Sequence, residues 1–119
     1  MNETGTIDQD ALDALLASLG GDEEFLAELM QDYFDDSPVQ LAAMETALAA
    51  GDAESLRRAA HSLKSNSTTF GAMTLSCMCK QLEDQGKSGA LDGAGTGIAQ
   101  VAAEYERVRL ALEAIQKGS

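Results

Sequence analysis

Several residue types are scarce in this chain, and each scarcity excludes something. It has no Trp, two Tyr and three Phe in 119 residues, so Leu, Ala, Met, Val and Ile must fill the interior. A single Pro and plentiful Ala, Leu, Glu and Gln favour helices, because these side chains lose little freedom there. Eight Lys and Arg stand against 20 Asp and Glu, a net charge of -12. Nucleic acid is therefore not the expected partner, since phosphate backbones are held by cations that the chain mostly lacks. No apolar run approaches the roughly 20 residues that span a bilayer, and the opening MNETGTIDQD carries no basic or apolar leader. A soluble, cytoplasmic monomer that does not engage membranes is expected. The two cysteines, Cys77 and Cys79, would project about 200° apart on a helix and cannot form a normal bridge. With one His and two divergent Cys, the three or four ligands of a metal site are lacking.

What is present is helical periodicity. Leu12, Leu15, Leu16 and Leu19 space a short helix closed by Gly20 and Gly21. Asp22 can cap a second, whose stripe runs from Phe25 through Leu26, Leu29, Met30 and Tyr33 to Phe34. At DDSP, Ser37 reads as an N-cap with Pro38 at the first helical position, and Leu41, Met44 and Leu48 continue the apolar face. Periodicity leaves open whether 23–50 is two helices or one kinked helix. Gly51 and Asp52 end one helix and start the next at once, which makes the two antiparallel neighbours. A further helix with Leu75, Met78 and Leu82 is expected to stop at Gly86, and the Gly-rich 87–97 reads as a loop with room for one helical turn. Ile98, Val101, Tyr105, Val108, Leu112 and Ile115 then keep a 3-4-3-4-3 seam. The expected fold is all-α: an antiparallel up-down four-helix bundle with one or two extra short N-terminal helices. It is a single domain over 1–119, with a flexible tail over 1–6.

The only histidine lies in RRAAHSLKSNSTTFGA, residues 57–72, among three of the eight basic residues. Winding the helix at about 100° per residue puts Leu56, Ala59, Leu63 and Phe70 opposite His61, so the imidazole faces water. Arg57, Arg58, Lys64, Ser65 and Thr68 fall within about 60° of it, joined by Glu54. This is a cationic, hydroxyl-bearing patch on an anionic molecule, suited to an anion the size of phosphate. With a reference pKa of about 6.5, an imidazole is a competent nucleophile near neutral pH. Lys64 is a flexible point charge one turn away. It reads as exposed, so that Lys64→Ala would leave melting nearly unchanged. No G-x-S-x-G and no Gly-rich phosphate loop accompanies the histidine, which leaves hydrolysis without support.

At these residues HSLKSNSTTFGAMTL resembles the signature of histidine-containing phosphotransfer (HPt) domains, with His61, Leu63, Lys64, Ser67, Gly71, Ala72 and Leu75 in register. The flanking LAAGDAESLRRAA and CKQLEDQGK are also similar to the family, so the resemblance covers roughly 20–117, its motif region 52–86. It implies a cytoplasmic two-component phosphorelay intermediate in which His61, through Nε2, accepts a phosphoryl group from a receiver-domain phospho-aspartate and passes it to another. It further implies that Lys64 neutralises the phosphoryl charge and that Glu83 orients the ring through Nδ1. Arg57, Arg58, Lys64, Ser65 and Thr68 would meet the docked partner, a response-regulator receiver or a hybrid sensor histidine kinase. Residues of the short first helix and of 25–34 would add an apolar rim. No cofactor is implied for this chain, because the Mg²⁺ belongs to the receiver. A carrier without kinase or hydrolase activity is expected, and Met1 with a complete bundle suits a free-standing one.

A helical interaction module that binds receivers without carrying phosphate would keep this surface but not need His61. An acyl carrier protein shares the size and acidity but lacks its Asp-Ser-Leu attachment site here. Ser65 departs from the family's usual Gly, and either lends a hydroxyl to the phosphoryl group or narrows the set of receivers that fit. Phosphotransfer rates of Ser65→Gly separate these: slower transfer supports the hydroxyl, and unchanged or faster transfer removes it.

Overall fold

In the computed structural model, which describes residues 6–118, every regular element is an α-helix. The short α1 (Gln9–Ser18) precedes four longer helices, α2 (Glu23–Ala50), α3 (Ala53–Thr69), α4 (Met73–Ser88) and α5 (Ala94–Gly118). At 1.5 Å per residue the 28-residue α2 is about 42 Å long, which matches the molecule's 43 Å longest dimension. The expectation of tail flexibility concerns 1–6, of which 1–5 lie outside the described residues.

Short connections force the long helices into an up-and-down bundle. Gly51 adopts φ 66°, a left-handed conformation that only Gly takes without strain, and its N–H caps the end of α2. The Asp52 carboxylate then accepts from the Ser55 N–H and opens α3. α3 packs most extensively on α4, and α5 closes the ring against α4 and α2. α1 lies across one end, where the Asp8 N–H donates to the Gly71 carbonyl at 2.7 Å. Leu56 and Leu63 of α3 meet Leu75 and Leu82 of α4 in one core, each contributing about 1.5–3 kcal/mol by burial. Tyr33, Phe70 and Tyr105 gather beside them, Tyr33 lying 5.0 Å from Phe70 and 5.7 Å from Tyr105 between ring centroids.

Three boundaries differ from those expected. Residues 23–50 form one continuous helix, so a single short helix precedes the bundle and Ser37 is not an N-cap. Ser37 is buried inside α2, where its hydroxyl donates to the Tyr33 carbonyl at 2.7 Å. Pro38 lacks the N–H that would reach the Phe34 carbonyl, and the helix continues through it because Tyr33, Ser37 and Met44 are buried on either side. Gly86 does not stop α4, which runs on to Ser88, and α5 already begins at Ala94, leaving 89–93 as the loop.

Gly86 is required for closeness rather than for termination. A Cβ placed there would lie 2.8 Å from the Ala53 carbonyl oxygen and equally close to the Arg57 N and Cβ. The α3 and α4 backbones therefore touch through this residue. Gly86→Ala gains up to about 1 kcal/mol in helix propensity but drives a methyl into backbone, which costs about 1–3 kcal/mol. A net loss is expected in urea unfolding; a stabilised variant would show that the helices are free to part.

Candidate functional site

α3 and α4 bring three residues predicted from the sequence to one point. His61 stands on the outer face of α3 with its side chain 53% exposed, while Glu83 reaches across from α4 with its carboxylate only 4% exposed. The His61 Nδ1 lies 2.9 Å from Glu83 Oε2, and the Lys64 Nζ lies 2.7 Å from Glu83 Oε1. One carboxylate thus engages both, one oxygen each.

Lys64 corrects the sequence reading. Its side chain is 24% exposed rather than free in solvent, and its ammonium turns inward to a buried anion. Lys64 holds the Glu83 carboxyl down at about 2, with a smaller contribution from the His61 ring, against the burial that pushes it up. Glu83 is therefore an anion at neutral pH and can only accept from the imidazole. In the neutral ring that fixes the tautomer: Nδ1 carries the proton and Nε2 keeps its lone pair. Among the described residues no side chain or backbone group hydrogen-bonds Nε2.

The rest of the predicted patch is less available than the helical wheel implied. Arg57 forks onto Glu54 through two guanidinium nitrogens, and Arg58 lies 3.7 Å from the same carboxylate. Thr68 is exposed, but its hydroxyl donates to the Lys64 carbonyl at 2.9 Å and pairs with Ser76 at 2.6 Å. Ser65 is exposed one turn past His61. On the other flank Asn66 donates to Asp36 of α2 at 3.5 Å, beside a 250 Å³ cleft lined in part by Leu29, Tyr33, Thr69 and Phe70. Phe25 is exposed near the start of α2. Larger clefts of 710 and 520 Å³ lie near α1 and the end of α5, and neither includes His61, Lys64 or Glu83.

The sequence reading missed Lys87, whose Nζ lies 4.0 Å from Glu83 Oε2. A Glu-to-Lys spacing of four on one helix was the available signal. Also missed was the buried pair of Tyr33 and Ser67 hydroxyls at 2.8 Å, which fastens α2 to the inner side of α3. The free thiols separate as their spacing implied, Cys77 exposed and Cys79 buried, the latter pushed up to about 12 by burial. No cluster of three or more potential metal ligands occurs among the described residues, and no described helix is long and apolar enough to cross a membrane.

A depressed carboxyl contributes stability that is present above its ordinary value of 4.5 and is lost as pH falls towards about 2. Wild-type melting should therefore fall more steeply between pH 4.5 and 2 than that of Glu83→Gln, which has no proton to take up. Parallel curves would mean that Glu83 is solvated.

Comparison with known proteins agrees with this architecture. A model of the Hpt domain family matches residues 28–116. Over 88 residues, 73% of this chain, the sequence is 30% identical to multistep phosphorelay regulator 1 of Schizosaccharomyces pombe (strain 972 / ATCC 24843), of whose length it spans 30%. The crystal structure of histidine-containing phosphotransfer protein B from Pseudomonas aeruginosa PAO1 superposes with a TM-score of 0.88 at 32% identity, covering 96% of both chains. The chain belongs to the Hpt domain family, the phosphotransfer intermediates of phosphorelays.

Proposed function

We propose that His61 is the phosphorylated residue, taking a phosphoryl group from a phospho-aspartate on a receiver domain and giving it to an aspartate on another. The observation that carries this reading is the Glu83 carboxylate 2.9 Å from Nδ1, which leaves the outward nitrogen nucleophilic. The Nε2 lone pair attacks phosphorus, the acyl-phosphate P–O bond breaks, and its electron pair leaves on the aspartate. Nδ1 keeps its proton, so the ring becomes cationic as the new N–P bond forms. Glu83 faces that charge from 2.9 Å in a poorly solvated position, where preorganised electrostatic stabilisation is strongest. Return of the phosphoryl group reverses each change, and nothing else on the protein is consumed.

Lys64 meets the phosphoryl oxygens, and the exposed Ser65 and Thr68 border the partner's approach. His61 stands on a helix face, and its reactant is a group presented by another protein. The receiver supplies Mg²⁺ and the acidic pocket. This chain acts as a carrier, a monomer without a kinase or hydrolase activity of its own.

Incubation with a phosphorylated receiver tests the role. Acid-labile phosphate is expected on wild type and absent from His61→Gln; equal labelling of both would put the phosphate on another residue and overturn the role of His61, and labelling of neither with any receiver from the source organism favours an interaction-only module. Lys64→Ala should slow transfer about tenfold or more, and also cost about 1–3 kcal/mol because it strips the cation from buried Glu83. Unchanged melting would place the Glu83 carboxylate in water.

A further inference from the structure

The pairing of Lys64 creates a conflict that the phosphotransfer reading does not resolve by itself. In this structure the Lys64 ammonium is committed to Glu83 Oε1 at 2.7 Å. To neutralise a phosphoryl group on Nε2 it must turn outward, because Nε2 is the nitrogen that points away from Glu83. Its departure leaves a carboxylate that is 4% exposed without its cation, where water cannot take the place of the lost charge. The charge gained by the His61 ring offsets this only while Nδ1 keeps its proton.

A second cation stands ready. Lys87 lies one turn along α4 from Glu83, its side chain is 55% exposed, and its Nζ is 4.0 Å from Oε2. That distance is the outer limit of an ion pair and about 1 Å longer than a charge-assisted hydrogen bond. A four-carbon stem closes such a gap by rotamer changes alone. Arg57 and Lys80 also feel the Glu83 charge, but Arg57 is forked onto Glu54 and Lys80 is paired with Asp84 at 2.8 Å. Resting on the reading of His61 as phosphoacceptor, we infer that Lys87 is a positioning residue that takes over Glu83 when Lys64 moves to the phosphoryl group. The two lysines alternate: Lys64 on Glu83 in the unphosphorylated protein, Lys87 on Glu83 in the phosphorylated one. Lys87 thereby frees Lys64 for the phosphate without contacting the phosphate itself.

The test uses the full chain and phosphoramidate, a small phosphodonor whose P–N bond breaks as Nε2 attacks, with ammonia leaving. Wild type, Lys87→Met and Lys87→Arg are compared for labelling rate and for melting temperature before and after labelling. Unlabelled Lys87→Met should melt within about 1 °C of wild type, because a long, half-exposed pair contributes little. Its labelling should be about fivefold slower and its labelled form should melt about 4 °C lower than labelled wild type, with Lys87→Arg restoring both. A purely structural Lys87 would instead shift labelled and unlabelled melting alike. Labelling rate and labelled melting indistinguishable from wild type overturn the inference, as does failure of Lys87→Arg to restore them. No label on wild type, with a known phosphohistidine protein labelled in parallel, overturns the phosphoacceptor reading of His61 and this inference with it.

Discussion

A carboxylate removed from water between two helices organises the reactive end of this bundle. Glu83 is ionised although 4% exposed, because Lys64 and His61 reach it from α3. The cost of burying the charge is met by partners fixed on the neighbouring backbone. Any separation of α3 from α4 would draw Lys64 and His61 away from the anion, so the interaction and the interhelical distance depend on each other. Gly86, one turn along α4 from Glu83, is where that distance is set, since the two backbones touch there without an intervening side chain.

The same anion gives the imidazole its chemical character. A helix-borne histidine has two distinct ring nitrogens, and the hydrogen bond one of them makes decides which carries the proton. A carboxylate below the ring, unable to donate at neutral pH, puts the proton on the inner nitrogen and leaves the outer one basic. One ion-paired residue thus links stability, tautomer and reactivity. The remainder of α3 carries apolar side chains inward, with Leu56 and Leu63 fully buried, so the ring stands on a rigid base.

Much of this was legible in the sequence because helical periodicity is a local property. Winding α3 about Leu56, Ala59 and Leu63 was enough to put His61 outside, and Gly51 with Asp52 marked an unmistakable reversal. What periodicity does not carry is the distance between helices. Gly86 looked like a stop signal because a glycine near a helix end usually is one. Its actual role, letting α4 press against Ala53 and Arg57, involves residues some thirty positions away. Ser37 and Pro38 misled for a related reason: they form a start signal in isolation, yet packing on both sides of the proline keeps α2 continuous, with the Ser37 hydroxyl turned to the Tyr33 carbonyl. Lys64 was misjudged because a helical wheel reports a direction and not the reach of a four-carbon stem towards another helix.

Charge distribution bears on how a partner is met. The molecule carries net charge -12, yet around His61 four cations, Arg57, Arg58, Lys64 and Lys87, face two carboxylates, Glu54 and Glu83. Under the proposed function, a partner that presents a phosphorylated, anionic pocket would be attracted to this spot and repelled by most of the remaining surface, which would favour one docking orientation over others. Arg57 and Arg58 are held by Glu54, so their contribution is a shaped local field more than a set of free hands. Lys64 and Lys87 share a single buried anion and keep the freedom to exchange. Under the proposed role of His61, the docking charge stays in place between encounters while the charge nearest Nε2 moves with the phosphoryl group.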